Sequence, residues 1–281
     1  MDRLRVGTLG AARIAPGALI KPARRVPEVT VTAVAARDPG RARQFAARHG
    51  IAVVHDSYEA LIADPDIDAV YNPLPNSLHA PWTLRAIAAG KHVLCEKPFA
   101  SNEAEAAEVA DAARSAGLVV MEAFHYRYHP LARRMRDIVA GELGRLGHVE
   151  AALCIPLPRF SDIRYRFDLA GGATGRISAS LWSGQFLRLS ARALGERGEM
   201  RVLNYIAPQV FNLLTVRAGG RTRRERVRGE ATYTYQLRAF AAAVLRGEPV
   251  ITTPEDAVAN MRQIDDVYRA AGLPLRGTGP R

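Results

Sequence analysis

The sequence predicts an α/β fold: a doubly wound parallel sheet, followed by an α+β domain with a mainly antiparallel open sheet. Three observations carry this. Strand-like and helix-like runs alternate through the first 122 residues, which is the pattern of a parallel sheet with helices on both faces. A glycine-marked turn joins the first strand to the first helix. Beyond residue 124, short strand-like runs are separated by tight turns, and two amphipathic helices close the chain.

Leu4–Leu9 is the first β-rich run, followed by a turn and a helical stretch to about Arg25. Val29–Ala35 is the second. Asp38 then suits an N-cap with Pro39 at the first helical position, and Gly50 suits the helix end. Ile51–Val54, Ile67–Tyr71, His92–Cys95 and Leu118–Met121 read as short buried strands. Helices lie between them near Tyr58–Ala63, Leu78–Ala89 and Glu103–Ala116, the last two closed by Gly90 and Gly117. The second part begins with a helix at about Leu131–Ala140. Strands follow at His148–Leu157, Gly175–Ser183, Phe186–Leu194, Glu199–Asn204 and Val210–Arg217. Leu237, Phe240, Ala241, Val244 and Leu245 form the apolar stripe of one closing helix. Thr253 caps the other, whose buried face carries Met261, Ile264, Tyr268 and Ala271. The expected domains are 1–123 and 124–281.

Composition narrows the function classes. At 281 residues, 48% hydrophobic and 24% charged, the chain can bury substantial cores. No apolar run reaches the roughly 20 residues of a membrane span, and the N-terminal segment lacks a signal-type apolar stretch. Two cysteines, Cys95 and Cys154, cannot make a disulfide framework and point to a reducing, cytoplasmic setting. The formal charge of +11 comes almost entirely from arginine, since Lys21, Lys91 and Lys97 are the only lysines. The densest run, Arg221, Arg223, Arg224, Arg226 and Arg228, suits an exposed hairpin strand. It has no interleaved aromatics to stack on bases, so no nucleic-acid partner is expected. Where arginine serves nearly every cationic position, a remaining lysine is a candidate for chemistry that arginine cannot do, because its compact ammonium can lose a proton.

The turn Gly10-Ala-Ala-Arg-Ile-Ala15 reads as a dinucleotide-binding G-x-G-x-x-G with alanine at the second and third glycine positions. Gly10 makes the tight turn; Ala12, Arg13 and Ile14 lie against the pyrophosphate, helped by the helix N-terminus. An enzyme selective for NAD usually ends the second strand on an acid. Here the strand runs out as Ala36-Arg37-Asp38, with Asp38 committed to a cap, so Arg37 suits the 2′-phosphate of NADP better than NAD. Glu96 and Lys97 follow the fifth strand, at the carboxyl end where open parallel sheets bind ligands. A lysine there can bind a substrate oxygen and carry a proton.

The Gly10–Ala15 turn, Asn72-Pro-Leu-Pro-Asn-Ser-Leu-His79, Glu96-Lys-Pro98 and Met121-Glu-Ala-Phe-His-Tyr-Arg-Tyr-His-Pro130 resemble the Gfo/Idh/MocA family (glucose–fructose oxidoreductase and inositol dehydrogenase). Within it, the sequence is most similar to the dihydrodiol dehydrogenase and NADP-dependent xylose dehydrogenase branch. The resemblance extends through the closing Ile264–Leu273 segment. It implies a Rossmann domain joined to a substrate domain whose open sheet often makes a homodimer. The activity implied is hydride transfer between NADP (or NAD) and a carbinol of a sugar, polyol or dihydrodiol. Lys97 is then the catalytic residue, Glu96 lies on the nicotinamide side, and Pro73, Asn76 and His79 lie along the cofactor. Arg127 belongs near the active-site floor. Tyr126 and Trp182 are either core aromatics or walls of the substrate pocket.

One departure from the family is expected to matter. Its members carry, after a Gly-Gly turn, a helix with an Asp and the His that works with the lysine. Here Gly171-Gly172 arrives on cue, but no Asp or His follows before Ala193. Roughly 50–60 residues of a two-layer domain are expected to be missing near residue 173. Three explanations compete: a segment lost by recombination, residues of the true protein missing from the sequence, or a shortened enzyme using His125, His129 or Tyr126 instead. Loss of the helix should also expose apolar surface on the second sheet. A non-catalytic cofactor-binding or sensor protein is the alternative function.

Overall fold

The computed structural model describes residues 3–155, 162–169, 171–180 and 187–277. The chain forms two compact units, Met1–His125 with Tyr233–Arg281, and Tyr126–Thr232.

The first unit is built on six strands, β1 (Leu4–Leu9), β2 (Val29–Ala35), β3 (Val53–His55), β4 (Ala69–Asn72), β5 (His92–Cys95) and β6 (Val120–Glu122). Their order is β3-β2-β1-β4-β5-β6, and every pairing is parallel. The strands are short and rich in Val, Ala and Leu, as expected for a sheet buried on both faces. A π-helical turn, Pro16–Ile20, runs into α1 (Lys21–Ala23) after β1. The crossovers α2 (Pro39–His49), α3 (Tyr58–Ala63), α4 (His79–Ala88) and α5 (Glu103–Ala116) follow. The expected cap is present: Asp38 Oδ1 accepts from the amides of Gly40 and Arg41, and Gly50 closes α2 at φ +71°.

The expected boundary near residue 123 lies close to where the second unit begins, but that unit ends at Thr232 rather than at the C-terminus. Residues 233–281 return to the first unit, and the reason is the apolar stripe of the last helix. In α8 (Pro254–Ala270), Ala257 and Met261 are buried in the same core cluster as Val109 and Ala113 of α5. Just before it, Thr252 and Glu122 exchange two hydrogen bonds, Glu122 N to Thr252 O and Thr252 Oγ1 to Glu122 O. The penultimate helix, α7 (Thr232–Arg246), buries Leu237, Phe240 and Ala241.

The second unit opens with α6 (Pro130–Gly141). Its seven strands are β7 (Leu146–Cys154), β8 (Asp162–Asp168), β9 (Thr174–Ser180), β10 (Arg188–Gly195), β11 (Gly198–Leu203), β12 (Leu213–Ala218) and β13 (Arg221–Glu225). They run in the order β13-β12-β11-β10-β7-β9-β8, antiparallel throughout except for β7 with β9. Leu131 and Ile138 of α6 pack on Ala193, Met200, Val202, Leu214 and Val216, which alternate along their strands as a one-sided core requires. Arg221, Arg223 and Arg224 of the arginine-rich run lie in the edge strand β13, with Arg223 paired to Glu142 and Glu225, and Arg226 and Arg228 follow the strand.

The Gly171-Gly172 pair turns β8 into β9, with φ of +82° and +79° and a 2.7 Å bond from Leu169 N to Ala173 O, and β9 stands where a strand was expected from Gly175. The strand β8 is not among the strands expected from the sequence. The sheet surface carrying Glu150, Arg176, Arg192 and Arg201 mixes ion pairs with exposed apolar side chains, Leu194, Leu203 and Leu213 among them. Glu199 pairs with Arg192 and Arg201, and Glu150 with Arg176.

Candidate functional site

In the first unit the strand order reverses between β1 and β4, so their carboxyl ends flank the crevice where such sheets bind ligands. Gly10 leaves β1 at φ +92°, with its amide bonded to Ala35 O at 2.6 Å. A side chain at Gly10 would be strained by that conformation, and its Cβ would lie 3.2 Å from Leu74 Cδ2. The glycine turn and the loop after β4 therefore meet across this crevice. Ala11, Ala12 and Arg13 also line a cleft of about 380 Å³ whose far wall is α2, with Arg41, Gln44, Arg48 and His49. Arg13, Arg37, Arg41 and Arg48 are exposed, and none makes an ion pair among the described residues. A turn that a Cβ would crowd, beside uncommitted guanidinium groups, fits a phosphorylated dinucleotide. Arg37 stands at the end of β2 but is not part of the cleft wall. Ile14 is exposed, and its carbonyl accepts from Gly17 and Ala18.

The loop after β4 is braced from inside. Asn72 Nδ2 donates to His79 O at 3.0 Å and to Thr83 Oγ1 at 3.2 Å. His79 is buried, with Nδ1 at 2.6 Å from Pro98 O and Nε2 at 2.7 Å from Leu74 O. Burial lowers its pKa, although the two carbonyls pull the other way. The ring of His79 thus lies between the loop after β4 and the Glu-Lys-Pro turn, each of its nitrogens beside a backbone carbonyl. Pro73 is buried at the strand end and Asn76 is exposed on the short 3₁₀ turn Asn76–Leu78.

The Glu96-Lys97-Pro98 turn follows β5, and the Lys97–Pro98 peptide is cis. Glu96 is buried and accepts a 2.8 Å hydrogen bond from the Tyr71 hydroxyl. Burial raises its pKa, opposed by that bond and by Lys97. Lys97 itself is exposed and makes no side-chain hydrogen bond or ion pair among the described residues. The other lysines separate cleanly from it. Lys91 is buried with Nζ donating to Asp64 O and Ile67 O, and Lys21 begins the short α1.

The parallel register β5–β6 sets Cys95 beside Glu122, and Ala123 N donates to Cys95 O at 2.8 Å. The chain beyond β6 therefore runs alongside Glu96 and Lys97. Glu122 is buried and accepts from Phe99 N at 2.9 Å. His125 is half-buried, its ring 4.1 Å from that of Tyr233 with 34° between the planes. Burial and the neighbouring Lys97 pull its pKa down to about 4. Tyr233 is pushed up to about 12 by burial and by the Glu96 charge.

The first unit thus brings together Gly10, the Pro73–His79 loop, Glu96, Lys97, Tyr71, His125 and Tyr233. Of these, Tyr71 and Tyr233 went unnoticed in the sequence. Tyr71 had a usable signal, its place at the carboxyl end of a central strand; Tyr233 had none. Tyr126 and Arg127 belong to the second unit, where Tyr126 packs edge-on against Tyr205 at 5.6 Å. His129 is the N-cap of α6, its Nδ1 accepting from Leu131 N. Trp182 lies outside the described residues. No His/Cys/Asp/Glu cluster suited to a metal is found among the described residues, and no helix among them is long and apolar enough to cross a membrane.

Comparison with known proteins agrees with this geometry. Residues 4–124 match the oxidoreductase family with an NAD-binding Rossmann fold. Over 94% of its length the chain is 34% identical to the D-xylose 1-dehydrogenase (NADP(+)) 2 of Haloferax volcanii, covering 96% of that protein. The chain belongs to the Gfo/Idh/MocA oxidoreductase family. It is also 44% identical over 125 residues to the trans-1,2-dihydrobenzene-1,2-diol dehydrogenase of Sus scrofa, spanning 44% of this chain and 37% of that one. A 3-ketoreductase from Actinomadura kijaniata, solved with NADP and TDP-benzene, superposes with a TM-score of 0.85 at 25% identity, covering 95% of this chain and 98% of the other. The alignment to the xylose dehydrogenase runs over 314 positions. Since 94% of 281 residues is about 264, about 50 positions are filled by the relative alone. In size, that total matches the segment expected to be missing. The chain is a family oxidoreductase that is short inside, not at one end of the match.

Proposed function

We propose that this enzyme moves hydride between NADP and a carbinol of a sugar, polyol or dihydrodiol, with Lys97 as the principal catalytic residue. The observation that carries the reading is the placement of Lys97, an exposed and unengaged ammonium among three lysines, beside the buried Tyr71–Glu96 pair at the carboxyl end of β5. When bound, the nicotinamide supplies the hydride acceptor or donor. Lys97 binds the substrate oxygen, stabilises negative charge on it and exchanges a proton at Nζ. Glu96, held by Tyr71, fixes the turn that carries the lysine.

Phosphates are held by the turn at Gly10, Ala12, Arg13 and Ile14. NADP is favoured over NAD by the four arginines that lack acidic partners, with Arg37 as the contact to the 2′-phosphate. Pro73 and Asn76 border the cofactor; Tyr126, Arg127 and Trp182 belong to the substrate side, and the open sheet of the second unit forms a homodimer. The similar xylose and dihydrodiol dehydrogenases support this substrate class. The test is turnover of D-xylose and trans-1,2-dihydrobenzene-1,2-diol with NADP⁺ and with NAD⁺. Reduction of NADP⁺ by at least one substrate, with NAD⁺ at least tenfold poorer, is expected. Cofactor binding without turnover would contradict the reading.

A further inference from the structure

The chain lacks the Asp- and His-bearing helix that its Gly-Gly turn leads one to expect, and the Gly171-Gly172 hairpin leads directly into β9. A lysine alone would then have to manage a proton transfer that a positioned base normally accelerates by about 10²–10⁴. Three residues were open as substitutes. His129 is buried and committed to capping α6, and Tyr126 packs on Tyr205 in the second unit. His125 is different. The β5–β6 register carries the chain from Glu122 past Cys95 toward Glu96 and Lys97, and His125 ends that run half-buried, with an aromatic wall behind it.

We propose that His125 is the second acid–base residue of this active site, with Tyr233 as its positioning residue. The proposal rests on the assignment of Lys97. On oxidation, the substrate O–H bond breaks and its proton passes to an imidazole nitrogen. The electron pair left on oxygen closes the C=O bond as hydride leaves carbon for the oxidised nicotinamide. The imidazolium then returns its proton to water. In reduction the proton and hydride travel the other way. Burial and the adjacent lysine keep the imidazole neutral at rest, the state that can accept a proton. Other nearby groups are spoken for: the Tyr71 hydroxyl donates to Glu96, and burial drives the Cys95 thiol far above its ordinary pKa. Tyr233 supplies a ring face rather than a proton, which predicts that phenylalanine serves in its place.

The test compares His125→Asn, His125→Gly, Tyr233→Phe, Tyr233→Ala and Lys97→Met. The substrate is whichever of D-xylose and trans-1,2-dihydrobenzene-1,2-diol the wild type oxidises faster with NADP⁺. NADPH affinity by fluorescence titration reports on folding. Expected is a fall in kcat of about 10²-fold or more in His125→Asn with NADPH affinity unchanged. Imidazole added to His125→Gly should restore part of the rate, which it could not do for a structural role. Tyr233→Phe should stay near wild type while Tyr233→Ala loses kcat. If His125→Asn keeps its rate within threefold while Lys97→Met is inactive, the inference fails and the lysine assignment stands. If both variants keep their rates, the lysine assignment fails and this inference with it.

Discussion

The hydroxyl of Tyr71, at the end of β4, donates a 2.8 Å hydrogen bond to Glu96 Oε1, at the end of β5. Both side chains are buried, so the bond is the main compensation for removing a carboxylate from water. It also ties together the two strand ends that carry the Pro73–His79 loop and Lys97. Tyr71→Phe should therefore lower stability by about 1–3 kcal/mol, the cost of leaving a buried acceptor without its donor. Urea unfolding of the variant against wild type measures this, and an unchanged midpoint would remove Tyr71 from the account.

Gly10→Ala should damage the cofactor turn. A side chain at φ +92° is strained by about 1–3 kcal/mol, and the new Cβ would press on Leu74. NADPH affinity is expected to fall about tenfold or more, as measured by fluorescence titration.

Arg37→Ala should weaken NADPH binding while leaving NADH binding unchanged, because only the former has a phosphate at the 2′ position. The paired titrations read this directly. Equal losses for both cofactors would instead place Arg37 on a group they share.

The last helix belongs to the first unit, and its stability should report that. Met261 is fully buried among residues of the parallel-sheet unit. Met261→Ala is expected to cost about 2–5 kcal/mol, as for other large-to-small core changes. The loss should appear in the unfolding of the cofactor-binding unit, with NADPH protecting wild type and variant alike.

Acid should loosen the second unit through Glu225. Its carboxylate accepts two 2.8 Å bonds from Arg134 and one of 2.7 Å from Arg223. Those bonds, Arg134's first, pull its pKa down to about 2. An unfolded glutamate titrates near about 4.3, so the folded state binds the proton more weakly. The resulting stabilisation is complete above that pH and disappears as pH falls toward 2. Glu225→Gln should flatten the loss of stability between pH 5 and 2, followed by circular dichroism.

The parallel sheet was legible almost strand by strand, because its elements announce themselves locally. Asp38 and Gly50 bracket α2, Gly117 ends α5, and each strand is a short apolar run. Lys97 stood out as a candidate because arginine replaces lysine nearly everywhere else. What was not legible depends on contacts distant in sequence. Nothing local tells Ala257 and Met261 to return to α5, and β8 is marked as a strand only by its pairing with β9. His79 was drawn to the loop by the family resemblance alone; that its ring sits between the carbonyls of Pro98 and Leu74 depends on contacts made only in the fold. Tyr233 reaches the centre across more than a hundred residues, and only folding puts its ring on His125.

The central claim is that Lys97 is the catalytic residue, and Lys97→Met tests it most directly. The variant should bind NADPH with wild-type affinity and show no measurable oxidation of any polyol, sugar or dihydrodiol that the wild type oxidises. Oxidation at the wild-type rate by a variant that still binds NADPH would contradict the account.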